Sequence, residues 1–396
     1  MSLAFAATAV SLAILLTVLK AFEAVKVESW LQQHRDIVEF RSAGNSVPLG
    51  TRLARRAEAN QRLVSAFGIV NSLTSPSVQV HQDFLKTASR VINAGRDNAR
   101  WISLYCTAET LLRRDISTSK VGKGSGILLA DCVRRLCLTV VLTDNFDVDP
   151  AAVSAEDVRL ITREINQQWL RSKRDPWVTK STMLNDCLDG LGLRWRAATT
   201  RVTEQQTEKL APEEILGIIM PQYETLWRVV LLTFVTAYHR RARVENVERG
   251  RHVPACLGDC DAESEAVKLA KEGLRLNPSN KRIYRATTDA ADVEACHRDA
   301  RIWGPDALEF RPERFDELSS LQERAYYPYS LGKHRCPAIS GFGNRMITML
   351  VVALGSTLSL ESGRVRYGDE RLDGDPGEPL PTNRDDMEGW VFELRS

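Results

Sequence analysis

The sequence predicts a mainly α-helical fold with minor β-structure, and three observations carry that prediction. Apolar residues recur at helical spacing over residues 127–142 and 158–170. Residues 213–238 are apolar almost all round, as a helix buried on most sides must be. Strand signals are sparse: the last apolar run, Trp390-Val-Phe-Glu-Leu, is expected as an edge strand after a stretch rich in Gly, Asp and Pro. No internal repeat is visible.

At the N-terminus, residues 3–19 are uncharged and mostly apolar, and end at Lys20. That run is at the short end for a membrane span. A cleaved signal peptide is the rival reading, but no small-x-small cleavage site follows. The expected organisation is a transmembrane anchor over 1–20, a linker with early helices over 21–60, and one large domain over 61–396. Lys20 and Lys26 favour a cytoplasmic side for that domain.

The chain carries 53 Lys+Arg against 51 Asp+Glu, a net charge of +2. This excludes strong nucleic-acid electrostatics. Arg52-Leu-Ala-Arg-Arg56 and Arg240-Arg-Ala-Arg243 are accordingly expected as solvated helix faces. Eight cysteines are scattered at 106, 132, 137, 187, 256, 260, 296 and 336, without a disulfide framework. Cys256-Leu-Gly-Asp-Cys260 with Cys296-His297 is too loosely spaced for a convincing zinc site. Asp147-Val-Asp-Pro150 is a cap and turn between two helices.

Chemistry concentrates in the second half. Pro221 removes a backbone hydrogen bond inside the 213–238 helix and kinks it. Glu224-Thr225 follows directly. An acid and a hydroxyl in an apolar helix are expensive unless they serve a site, the alternative being a cap for the helix piece after the kink. Glu272 and Arg275 share one helix face and can pair. Then comes Tyr329-Ser-Leu-Gly-Lys-His-Arg-Cys336-Pro-Ala338. Gly332 allows a tight turn and close approach of a flat ligand. Lys333, His334 and Arg335 would lower the Cys336 pKa. Pro337 would open a helix whose positive end faces the sulfur. This is a thiolate-ligand loop, and haem iron is a ligand it could take.

The Cys336 run resembles the haem-binding signature of the cytochrome P-450 family, Phe-x-x-Gly-x-(Arg/His)-x-Cys-x-(Gly/Ala). Tyr329 replaces the Phe, His334 takes the Arg/His position and Ala338 the last small one. Glu272-Gly-Leu-Arg275 looks like the family's Glu-x-x-Arg, and Pro312-Glu-Arg-Phe315 like its PERF segment. The resemblance implies the P-450 fold, of the all-α class, with haem as cofactor. Cys336 would be the iron's thiolate ligand, Tyr329, Gly332, His334 and Ala338 would surround it, and Arg285 would meet a haem propionate. Arg314 would join Glu272 and Arg275 in a buried charge network.

Pro221-Gln-Tyr-Glu224-Thr225-Leu226 matches the family's (Ala/Gly)-Gly-x-(Asp/Glu)-Thr-Thr only in part. By resemblance, Thr225 hydrogen-bonds iron-bound oxygen and Glu224 feeds protons inward. Residues 66–75 resemble the stretch before the family's third helix, but its Trp-x-x-x-Arg is absent, leaving His81 or Lys86 as substitutes. The implied activity is insertion of one oxygen atom from O2 into a lipophilic small molecule, with electrons from an NADPH-dependent reductase. A secondary-metabolic enzyme with a single-pass anchor in the endoplasmic reticulum and a cytosolic catalytic domain is expected. The short chain suggests a trimmed, fungal-type member or an incomplete gene product. Two alternatives stay open: a haem-thiolate isomerase or dehydratase, and a truncated, inactive haem-binding protein.

Overall fold

A computed structural model describes residues 2–42, 45–94, 97–119, 126–194, 209–241, 265–286, 289–381, 383 and 387–395. The chain opens with α1, Ser2–Glu39, one helix that runs through residue 20 without a break. Its parts meet different surroundings. Ile14, Leu15, Leu16, Val18, Leu19, Phe22 and Val25 are exposed, whereas Val27, Leu31 and Val38 are buried. The second half of α1 is therefore a core element.

A ribbon of β1 (Arg41–Ser42) and β2 (Asn45–Ser46) leads to α2 (Leu49–Ala59) and α3 (Gln61–Phe67). Next come α4 (Val78–Ala94), α5 (Asn98–Ser119), β3 (Gly126–Leu128) and α6 (Leu129–Phe146). Asp147, in the left-handed region at φ 57°, ends α6 as the cap-and-turn motif predicts. The next helix, α7 (Ala155–Arg174), is signalled at both ends. The Ser154 side chain accepts from the Glu156 and Asp157 amides, and Arg171, Lys173 and Arg174 fill the last turn. After α8 (Thr182–Gly190), α9 (Pro212–Phe234) continues as a π-helix over Val235–Arg241.

The C-terminal part holds α10 (Glu265–Leu276), the hairpin β4 (Arg282–Tyr284) and β5 (Ala290–Asp292), α11 (Val293–Arg298) and α12 (Ala300–Trp303). A 3-10 turn over Pro312–Asp316 precedes α13 (Ser320–Ala325), α14 (Phe342–Thr357), β6 (Gly363–Arg366), α15 (Glu370–Gly374) and β7 (Val391–Leu394).

Helices α5, α6, α9 and α14 pack together, with α10 laid against α9 and α14. Trp101, Leu136, Trp227, Phe234 and Leu350 fill this main core. Gly273 lets α10 approach α9, because a Cβ there would sit 1.9 Å from Thr233 Oγ1. A second, smaller core joins Val27, Leu31 and Val38 of α1 to Ala291, Val293, Trp303 and Tyr327.

Two sequence expectations change. Ile127 belongs to β3, so the helix begins at Leu129. The last strand is central, not an edge: β7 pairs antiparallel with β3 on one side and β6 on the other. Phe392 lies opposite both Ile127 and Val365 and is fully buried. A short apolar run shows that a strand is half-buried but not how many partners it has.

Candidate active site

The Cys336 loop follows α13 and is shaped by two left-handed residues, Ser330 at φ 66° and Gly332 at φ 65°. The Cys336 amide donates to Tyr329 O at 2.7 Å and closes the loop. Pro337–Ser340 form one 3-10 turn, and Gly341 at φ 103° separates it from α14. Cys336 therefore precedes a single tight turn, not the long helix expected from Pro337 onward. The Tyr329 hydroxyl donates to Asn344 Oδ1 on α14 at 2.8 Å, which satisfies the polar atom that a Phe would lack. Burial, then the charge of Cys336, raises the Tyr329 pKa.

Cys336 keeps an exposed face, while the protein around its other sides raises its thiol pKa; the Ala338 amide opposes that rise. The lowering expected from Lys333, His334 and Arg335 is not what the loop provides. Lys333 and Arg335 are solvent-exposed, where charge is screened. His334 is held neutral, its pKa lowered to about 3 by burial and by Arg56, Arg52 and Arg285. Metal coordination reverses this logic, because a coordinating thiol is deprotonated outright.

Beside the loop, cationic side chains converge. Arg52 and Arg56, four apart on α2, are both buried, so the expectation of a solvated face fails there. The burial of positions 52, 53, 56 and 57 marks one helix face. Arg56 Nη1 donates to Ser72 Oγ at 3.3 Å and stands 2.9 Å from His334 Nδ1. Ser72 Oγ lies 2.7 Å from His81 Nδ1, and the His81 ring is 5.5 Å from that of His334. Of the two third-helix substitutes, His81 joins this cluster, while Lys86 is exposed and paired with Asp83 at 3.2 Å.

Arg285 Nε donates to Val38 O at 3.0 Å and Nη2 to Ser330 Oγ at 3.1 Å, with Phe40 4.7 Å beneath the guanidinium. Burial lowers Arg285 to about 9, with Arg56 adding to the effect, and lowers Arg56 to about 10. Among the described residues no carboxylate forms an ion pair with Arg56 or Arg285. His334 Nε2 is buried without a hydrogen-bond partner. Buried positive charge of this kind is costly until an anion completes it.

Behind the loop lies the charge network. Arg275 is gripped by both oxygens of Glu272 and donates from Nη1 to His297 O at 2.8 Å and Ala307 O at 2.7 Å. Arg314 Nε stands 3.6 Å from Glu272 Oε1, and the Arg311 amide donates to the same oxygen at 2.9 Å. Every charge here is paired, so the network acts as a rigid support.

On α9, Pro221 leaves the Gly217 carbonyl without its helical donor, and Asn71 Nδ2 supplies one at 3.2 Å. Gln222 and Asn145 exchange amide hydrogen bonds of 3.1 Å in both directions, tying α9 to α6. Glu224 is buried. Thr225 Oγ1 donates back to Pro221 O at 2.9 Å. Cys256 and Cys260 lie outside the described residues.

An open cysteine on a loop with two left-handed residues thus lies near buried Arg56 and Arg285, which form no ion pair among the described residues, and near a fully paired Glu-Arg network. Comparison with known proteins gives the family. Residues 271–352 match the profile of the family Cytochrome P450. A 44-residue segment is 52% identical to bifunctional cytochrome P450/NADPH--P450 reductase 2 of Bacillus subtilis (strain 168), covering 11% of this chain and 4% of that protein. Cytochrome P450 72A11 of Arabidopsis thaliana is 26% identical over 211 residues, 46% of this chain and 39% of its own length. The chain thus spans less than half the length of the curated relatives it matches. The solved structure of ligand-free cytochrome P450 OleT superposes with a TM-score of 0.54 at 15% identity, over 85% of this chain and 83% of that one. The profile match over residues 271–352 and the shared fold support a cytochrome P450 family member.

Family and fold imply a cysteine-ligated haem iron, and the residues present fit that group. Cys336, a thiol with an open face, would hold the iron. Arg56 and Arg285, which form no ion pair with a carboxylate among the described residues, cluster with Arg52, His81 and His334, and this cluster would suit two propionate carboxylates.

Proposed function

We propose that the protein is a haem-dependent monooxygenase that inserts one oxygen atom from O2 into a lipophilic small molecule, using electrons from an NADPH-dependent reductase. The observation that carries this reading is the cationic cluster of Arg56, Arg285 and His334, joined to the loop of the exposed Cys336 through His334 and Ser330 and without an ion-paired carboxylate among the described residues. Cys336 would hold the iron, and the cluster would hold the propionates. Bound haem supplies oxygen activation, while the protein sets ligand, dielectric and position. Glu224 and Thr225 are the α9 pair suited to holding and passing a proton. The exposed apolar residues between Ile14 and Val25 support a membrane anchor, here placed in the endoplasmic reticulum with the catalytic domain in the cytosol.

One observation favours the isomerase or dehydratase reading. Gln222 fills a position where the family carries Gly, and its amide is pinned to Asn145. The test is to load the full chain with haem, add an NADPH-dependent reductase and supply lipophilic candidates under 18O2. One labelled oxygen in a product supports monooxygenation. Haem-dependent conversion of a lipid peroxide, without NADPH use, supports the second reading. Failure to take up haem overturns both.

A further inference from the structure

We infer that Phe40, at the C-terminal end of α1, is a positioning residue for the haem propionates, which makes α1 part of the cofactor pocket. This rests on the haem-thiolate reading above. It starts from a local oddity: Phe40 is a buried aromatic residue at φ 56°. A bulky side chain in the left-handed region is unfavourable, and such a conformation persists only where its surroundings over-determine it. The backbone there forms a hook. The Phe40 amide donates to Ile37 O at 3.2 Å, and its carbonyl accepts from Val47 at 3.1 Å.

The hook places the ring against two of the cluster's members. The Arg285 guanidinium lies over it at 4.7 Å, and the His334 ring meets it edge-on at 5.4 Å and 65°. Two residues earlier, Val38 O accepts from Arg285 Nε at 3.0 Å. Between them, the Glu39 stem packs on Gly332, where an added Cβ would meet Glu39 Cγ at 3.4 Å. The Glu39 carboxylate is engaged by Arg41 at 2.8 Å and Arg35 at 3.9 Å, so its charge is taken up away from Arg285.

Three consecutive residues at the end of the first helix, Val38, Glu39 and the Phe40 that follows it, thus touch Arg285, His334 and the turn that opens the Cys336 loop. Phe40 fixes the face of the Arg285 guanidinium, while Val38 O and Ser330 Oγ fix its edge. The remaining donors of the fork are left for an anion. Because Val27, Leu31 and Val38 are anchored in the second core, the hook does not depend on the exposed stretch between Ile14 and Val25.

The test uses the full chain in detergent, loaded with haem or with haem dimethyl ester, whose propionates carry no charge. Transfer to excess apomyoglobin reports the rate of loss, and far-UV circular dichroism checks the fold. Phe40→Ala should speed haem loss on the order of tenfold, the scale of a desolvated cation–aromatic contact. Loss of the ester should change less than about twofold, and Phe40→Tyr, which keeps the ring, should restore parental haem retention to within about twofold. Equal acceleration of both haems would mean a general structural role and would overturn the inference, as would no acceleration of either. A parent chain that retains neither haem would remove the haem-thiolate reading itself, and the inference with it.

Discussion

The Arg275 guanidinium meets the Glu272 carboxylate fork to fork: Nε and Nη2 donate to opposite oxygens, each at 2.7 Å. Both side chains are fully buried, and Arg275 also stacks on Trp303 at 4.9 Å. Removing one partner of such a pair leaves an uncompensated buried charge. Glu272→Ala should therefore cost about 3–5 kcal/mol of stability. Urea unfolding of parent and variant checks this; a loss near the level of an exposed pair would show that water reaches Arg275.

Gly273→Ala should destabilise by about 1–3 kcal/mol, the usual cost of overpacking a tight core. The added methyl meets Thr233, whose Cβ would be 2.9 Å away. Combining it with Thr233→Ala should recover part of the loss, because the obstacle then shrinks. Thermal melts of the four chains provide the measurement.

Asn71 and Pro221 should be energetically coupled. Asn71→Ala leaves the Gly217 carbonyl without its donor, at about 1–2 kcal/mol. In a Pro221→Ala background the restored amide can serve that carbonyl, so the same change should cost less. A double-mutant cycle by denaturant unfolding detects the coupling. Strict additivity would mean that the Asn71 contact is incidental.

The acid limb of stability should depend on His297. This ring is fully buried, accepts from the Tyr327 amide at 3.1 Å, and has its pKa lowered from 6.5 to about 3, first by burial and then by Arg275. The unfolded chain protonates first as pH falls, so stability is full above about 6.5 and declines toward 3. This one group should cost about 2 kcal/mol by pH 5. His297→Gln should flatten that slope, although His334 titrates in the same window. Unfolding free energies at pH 7 and pH 5 test it; equal slopes would contradict the assignment.

The helical architecture was legible because its signals are local: period 3.6 in α6 and α7, and the Ser154 cap. The motif around Cys336 was legible because turn-forming Gly and a liganding Cys are rare together. Arg52 and Arg56 were not, because charge suggests solvent and nothing local shows which face tertiary packing will bury. The same limit applies to β7, whose partners lie far off in sequence. Phe40 left no signal at all, since its left-handed backbone and its contacts arise only when α1 docks. The departures from the family pattern in α9 were visible, but not their compensations, Asn71 for Pro221 and Asn145 for Gln222.

The central claim is that Cys336 binds haem iron as a thiolate. The direct measurement is the reduced carbon monoxide difference spectrum of the full chain in detergent, beside Cys336→Ala. The long-wavelength Soret band of the haem-thiolate class in the parent, absent in the variant, is the predicted result. A shorter-wavelength band in both chains, or a parent that takes up no haem, would contradict it.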